Sequence, residues 1–253
     1  MRGFLSYVCL IGVMACVACG SSDKPPGPLD HHFDDMYIAA IPLDQKANVV
    51  QTQQNWNVAR MENANAEAQV KEADSQLHEA RNDFSATKLA VDSAASNKKS
   101  ADASADMNRI NEATKSLATA KDVQKAAEAR VKYLESYRSY LGRYLRYTQE
   151  NMYFQEAAYE SAKAQLAKTN NIAPKGVTYD SFPKQQDGRH SRTDSAKAKA
   201  ENAKAAVTSQ RDSWLQLQGQ ADKENGRAGV YWDPMAPKAA PAPSSAPAPS
   251  ASN

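Results

Sequence analysis

Tyr133, Tyr137, Tyr140, Tyr144 and Tyr147 recur at spacings of four, three, four and three, which places their rings along one stripe of a helix. Arg138, Arg143 and Arg146 fall among them. Aromatic rings beside guanidinium groups make a docking chemistry: the rings supply flat, stiff apolar area and the arginines supply forked donors and stacking cations. Exposed, such a strip suits a partner protein, a glycan or a small ligand. Covered by another helix, it is packing, and Val207, Trp214 and Leu217 farther along the chain are of the kind to cover it. We expect packing, with the docking strip as the alternative.

Other chemistry is sparse. Asp30-His31-His32-Phe33-Asp34-Asp35 is the one cluster of metal-ligand residue types, but no ligand motif elsewhere completes a site, and His78 and His190 stand alone. It reads as a solvated linker, so no metal and no cofactor are expected. The chain has no glycine-rich phosphate loop, no Gly-x-Ser-x-Gly and no His-Glu-x-x-His. Acids such as Glu67, Glu72 and Asp74 read as a solvated helix face pairing with Lys71 and Arg81. A non-enzymatic protein is the expectation. Lys and Arg total 31 against 29 Asp and Glu, for a net charge of +2, and this mixed, near-neutral balance argues against a nucleic-acid surface.

The elements that must carry these residues are helices. Between Pro42 and Pro174 there is no proline, and the single glycine is Gly142, so the stretch is free to be helical throughout. Stepping in sevens, Val49, Trp56, Asn63, Val70, Leu77, Phe84 and Val91 form one column. Thr52, Ala59, Ala66, Ala73, Ala80, Thr87 and Ala94 form another three residues on. Large at a and small at d is a coiled-coil seam that lets a partner helix come close, with Asn63 as a register-setting polar residue. The spacing resumes in a different phase at Ile110, Leu117, Gln124 and Val131, with Ala113, Ala120, Ala127, Leu134 and Leu141 three residues on. Val91 and Ile110 are not a multiple of seven apart, and residues 96–102 are polar, so a turn near 96–105 is the economical explanation. The expectation is an antiparallel coiled-coil hairpin over residues 43–169 with arms on the order of 80 Å. One continuous helix with a stutter, pairing with another chain, is the alternative.

Residues 170–192 carry Pro174, Gly176, Pro183 and Gly188 and read as a loop. A shorter third helix is expected over 193–225, with columns Ala200, Val207, Trp214, Ala221 and Ala196, Ala203, Gln210, Leu217. Residues 226–253 end in alanine, proline and serine and read as a disordered tail, with residues 231–234 pinning its start to the helices. Residues 19–42, rich in proline, read as a flexible tether. The fold class is therefore all-α.

Residues 1–18 combine Arg2 with an apolar run of secretory length and read as a signal peptide. All three cysteines, Cys9, Cys16 and Cys19, lie at this end, so the remainder has no disulfide. Ala18-Cys19-Gly20-Ser21-Ser22 resembles the cleavage box of bacterial lipoproteins. The resemblance implies lipidation of Cys19, with Cys16 as the alternative, and Gly-Ser after the cysteine implies the outer membrane, facing the periplasm. The hairpin is similar in kind to those of periplasmic adaptor assemblies, a likeness of periodicity that transfers no site. The expected role is a lipid-anchored envelope scaffold or adaptor that docks an envelope protein, with self-association also open. A glycan or small-ligand module on the tyrosine face is the alternative.

Overall fold

The computed structural model describes residues 25–226 and 228–236. It is all-α: two short 3₁₀ turns, Asp35–Ile38 and Leu43–Lys46, lead into three long helices, α1 (Ala47–Ala103), α2 (Met107–Thr169) and α3 (Ser181–Asn225).

The α1 and α2 helices form the antiparallel hairpin. Every a and d position of α1 from Val49 onward is buried or half-buried, and nearly every other position is exposed. The small column does the closest packing, since Ala59, Ala66, Ala73 and Ala80 are all at most 2% exposed; a methyl group there leaves room for the opposing backbone. Asn63 sits in the seam and accepts a hydrogen bond from Thr148 Oγ1 of α2 at 3.2 Å, which ties the two helices in one register. Three cross-helix ion pairs, Arg81–Glu135, Arg130–Asp83 and Arg138–Asp74, keep to the same register.

The turn comes later than the polar composition suggests. The α1 helix runs on through residues 96–102, because the seam continues through half-buried Lys98 and buried Ala101, and Lys98 pairs with Asp102 one turn on at 2.7 Å. The chain reverses within residues 104–106. Ala105 takes a left-handed φ of 55°, and the Asp106 carboxylate caps α2 by accepting from the backbone N–H groups of Asn108 and Arg109.

The third helix begins at Ser181, twelve residues before the expected start. Pro183 lies in its first turn, where the missing N–H leaves no intrahelical bond unmade. Buried Phe182, Arg189 and Thr193 extend its two seven-residue columns upstream. It ends at Gly226 in the left-handed conformation, φ 65°, which glycine adopts without a Cβ clash.

The α2 helix lies between the other two. Its Leu134, Leu141 and Thr148 column faces α1, while Glu150, Ala157 and Ala164, also seven apart and buried, occupy the f position on the opposite side, facing α3. Both α1 and α3 therefore pack along α2 and not along each other. The product is a layer three helices wide with two broad faces. Beyond about Asp122 the α3 helix has ended, since Glu224 near its C-terminus meets Asp122, and the hairpin tip continues as two helices for roughly 20 Å.

Both ends of the described chain are strapped to this layer. The expected flexible tether is instead packed from residue 25 to residue 42: Leu29, Phe33, Ile38 and Ile41 are buried, and Phe33 contacts Tyr37, Tyr179 and Phe182. At the other end, residues 228–236 fold back over α2, with Trp232 and Met235 against the core. Residues 1–24, which include the expected signal peptide and the start of the tether, and the tail from 237 to 253 lie outside the described residues.

Candidate docking surfaces on the two faces of the layer

The tyrosine stripe occupies positions c and g of α2 and thus one face of the layer. Its rings form a continuous chain: Tyr137–Tyr140 at 6.1 Å, Tyr140–Tyr144 at 6.0 Å and Tyr144–Tyr147 at 6.0 Å between centroids. Coverage is graded along it. Tyr133 is wholly buried and stacks on Trp214 of α3 at 5.3 Å, nearly parallel. Tyr137 is buried beneath the edge of Trp232 from the C-terminal strap. Tyr140, Tyr144 and Tyr147 are half-buried. The expected covering by helix three thus holds at Trp214, the strap extends it by one ring, and three rings keep an open side.

Asp233 locks this end. Its carboxylate accepts from Tyr133 Oη at 2.7 Å, from Arg211 Nε at 2.8 Å and from the Met235 backbone N–H at 3.1 Å. Burial works against the charge of Asp233, but the bonds from Arg211 and Tyr133 outweigh it and hold the carboxyl below its ordinary range. Burial pushes the phenols of Tyr137, Tyr140, Tyr144 and Tyr147 up. Carboxylates add to this, Glu72 at Tyr137, Glu62 at Tyr144 and Tyr147, and Glu201 and Asp194 at Tyr147. The charges around the half-open rings are therefore acidic.

The arginines expected beside the tyrosines lie elsewhere. Gly142 is two residues from Tyr140 and from Tyr144, roughly 200° around the helix, and it floors a groove of about 1060 Å³ on the other face of the layer. Arg138, Arg143 and Arg146 of α2 line that groove with Arg192 and Lys199 of α3, and no tyrosine does. Arg138 also reaches Asp74 at 2.9 Å, Arg146 pairs with buried Glu150 at 2.8 Å, and Arg143 is exposed. Spacing alone put rings and guanidiniums on one helix stretch; its rotation separates them onto two faces.

Several anchoring residues were not singled out from sequence. Arg189 of α3 donates to the carbonyls of Gly27 and Pro28 at 2.9 Å each, with Glu150 at 3.9 Å. Gln185 holds Asp30 and His31 through their backbones. Glu160 accepts from the Phe33 N–H at 2.6 Å, and its neighbour Lys163 bridges it to Asp35. Burial works against the Lys163 charge, yet the bonds to Asp35 and Glu160 prevail and raise its pKa. The available signal was seven-residue continuity: Phe182 and Arg189 precede Ala196, and Thr193 precedes Ala200, at that spacing. Nothing local marked residues 25–42 as their partner.

Among the described residues no three His, Cys, Asp or Glu side chains converge as metal ligands; the His31 ring instead packs near Phe182 at 6.1 Å. No helix among the described residues is long and apolar enough to cross a membrane. Cys16 and Cys19 lie outside the described residues. Comparison with protein-family models, curated proteins and solved structures gives no match to this chain.

Proposed function

We propose that this protein is a lipid-anchored, non-enzymatic scaffold or adaptor of the bacterial cell envelope, held at the outer membrane on its periplasmic side through acylated Cys19. The observation that carries the reading is the unbroken seam from Val49 to Ala101, which stiffens a hairpin of which roughly the last four turns stand clear of α3 and of both straps. Stiffness matters because a two-helix rod closed by a three-residue turn presents its tip at a set displacement from the anchor. Met107 and Leu89 are exposed toward that end and offer apolar contact to an envelope protein.

The test is in-cell photo-crosslinking from Lys99 near the tip and from Tyr140 on the half-open ladder. Capture of one defined envelope protein from Lys99 is the expected result. Adducts containing only this protein at both sites would replace the adaptor reading with self-assembly. The open side of Tyr140, Tyr144 and Tyr147 favours a second reading, glycan stacking, checked by whether peptidoglycan fragments protect those rings from nitration.

A further inference from the structure

We propose that the arginine groove is a membrane-contact surface, which sets the helical layer broadside against anionic lipid headgroups instead of standing it on its base. The inference rests on the reading of Cys19 as the lipid anchor.

A short tether limits where the anchor can sit. The chain enters the described structure along the groove, which Pro25, Pro26 and Gly27 help to line. Gly27 is fixed there by Arg189, opposite Glu150. From Glu150 to the C-terminal end of α2 at Thr169 is about 28 Å by helical rise, and the distance to the hairpin tip is about twice that. Cys19 lies six residues before Pro25, and six residues reach only about 20 Å at full extension. An acyl chain embedded in a bilayer therefore holds the middle of the layer near the surface. With Cys19 as the anchor neither end can be the foot; with Cys16, three residues earlier, the base would come just within range, so the orientation depends on Cys19.

Charge favours the same orientation. Among the described residues, Arg138, Arg143, Arg146, Arg192 and Lys199 line the groove with Glu150, which is buried and engaged by Arg146, and Arg138 is paired with Asp74 of α1 beside it, so the basic excess rests on Arg143 and Arg192 at its rim. The opposite face carries Glu62, Glu72, Asp194 and Glu201 around the tyrosines. The local signs, basic at the groove and acidic around the half-open rings, thus suit a groove turned toward lipid phosphates and a ladder turned away from them. Asp30, Asp34 and Asp35 of the N-terminal strap lie on the base side of the groove, so contact is centred on the groove and does not spread along the whole face. The hairpin then reaches along the membrane, and the tyrosine ladder points away from it.

The full-length protein, acylated in cells, is reconstituted into vesicles of phosphatidylglycerol and phosphatidylcholine. A fluorophore is placed in turn at Ser139→Cys in the groove, Lys175→Cys at the base and Lys99→Cys near the tip, and each is quenched by spin-labelled lipid. Quenching strongest at residue 139, and weaker at both 99 and 175, is expected. Stronger quenching at 99 or 175 than at 139 overturns the orientation. In parallel, a Cys19→Ala chain is tested for vesicle binding without its anchor: R143A/R192A should weaken its partitioning roughly thirty-fold, at about fivefold per basic residue near an anionic surface. Unchanged partitioning in that variant overturns the groove as the contact. Intact-mass measurement separates the two layers of inference, since an unacylated natural protein overturns the anchor reading itself, whereas an acylated protein with an unquenched groove overturns only the broadside contact.

Discussion

Replacing Asp233 with alanine should unfasten the C-terminal strap and expose the buried end of the tyrosine ladder. Three donors converge on this carboxylate, and they lose it unequally. The Tyr133 hydroxyl belongs to a residue with no exposed surface, so leaving it unpaired under a closed strap would cost about 1–3 kcal/mol, which drives the strap open. Arg211, whose side chain is 22% exposed, recovers water and loses about 1 kcal/mol at most. Release of residues 228–236 returns chain entropy and caps the total near 3 kcal/mol. For a domain of this size that corresponds to a fall of about 6–12 °C in Tm. Asp233→Asn keeps an acceptor for Tyr133 while losing the charge facing Arg211, and should cost roughly half as much. The assays are thermal unfolding by circular dichroism and nitration mapped by mass spectrometry, with Tyr133 and Tyr137 becoming reactive in the alanine variant. The pH dependence has a definite sign. A carboxyl held below its unfolded pKa of about 3.9 stabilises fully above that value and loses the contribution as pH falls through its folded pKa. The gap between wild type and Asp233→Ala should be flat near neutrality and shrink below about pH 4. An alanine variant that melts within a degree or two of wild type, with Tyr133 still unreactive, would refute the clasp.

Ala105→Gly at the hairpin turn should stabilise by about 1 kcal/mol, since Ala105 holds a left-handed φ of 55° that disfavours a Cβ; urea unfolding checks it. Arg189→Ala should cost about 2–3 kcal/mol and free the N-terminal strap, so that limited proteolysis cuts within residues 25–33 while the helices remain intact. Alkaline titration followed by tyrosine absorbance should show Tyr137, Tyr140, Tyr144 and Tyr147 ionising above free tyrosine. Because burial raises their folded values, their stabilisation is complete below about pH 10 and is lost as pH rises through the folded pKa, so unfolding should accompany the late part of that titration.

Much of the architecture is legible along the chain. The large and small columns from Val49 to Ala94 name the residues that α1 turns toward α2, and Ala200, Val207, Trp214 and Ala221 name those that α3 turns inward. Local composition misled in two places. Residues 96–102 look like a turn but stay helical because the seam does not stop at Ala94, and Pro183 looks like a loop residue but is harmless in a first helical turn. Each time the long-range column outweighed the weaker local preference.

By itself the sequence determined long helices with seven-residue seams, and it pointed to a hairpin with a shorter third. A seven-residue apolar period is a property of one helix, and burying it against a second satisfies it without reference to the rest of the chain. Only the tertiary structure decided that α3 lies opposite α1 across α2, which makes a layer and sends the tyrosines and arginines to different faces. It alone decided that residues 25–42 are a strap, and it decided where the expected pin at residues 231–234 lands, on Tyr133 and Tyr137. Those outcomes depend on pairs such as Phe33 with Glu160 and Tyr133 with Asp233, which are a hundred or more residues apart. Their free energy appears only when the helices have already brought them together, and no local pattern records it.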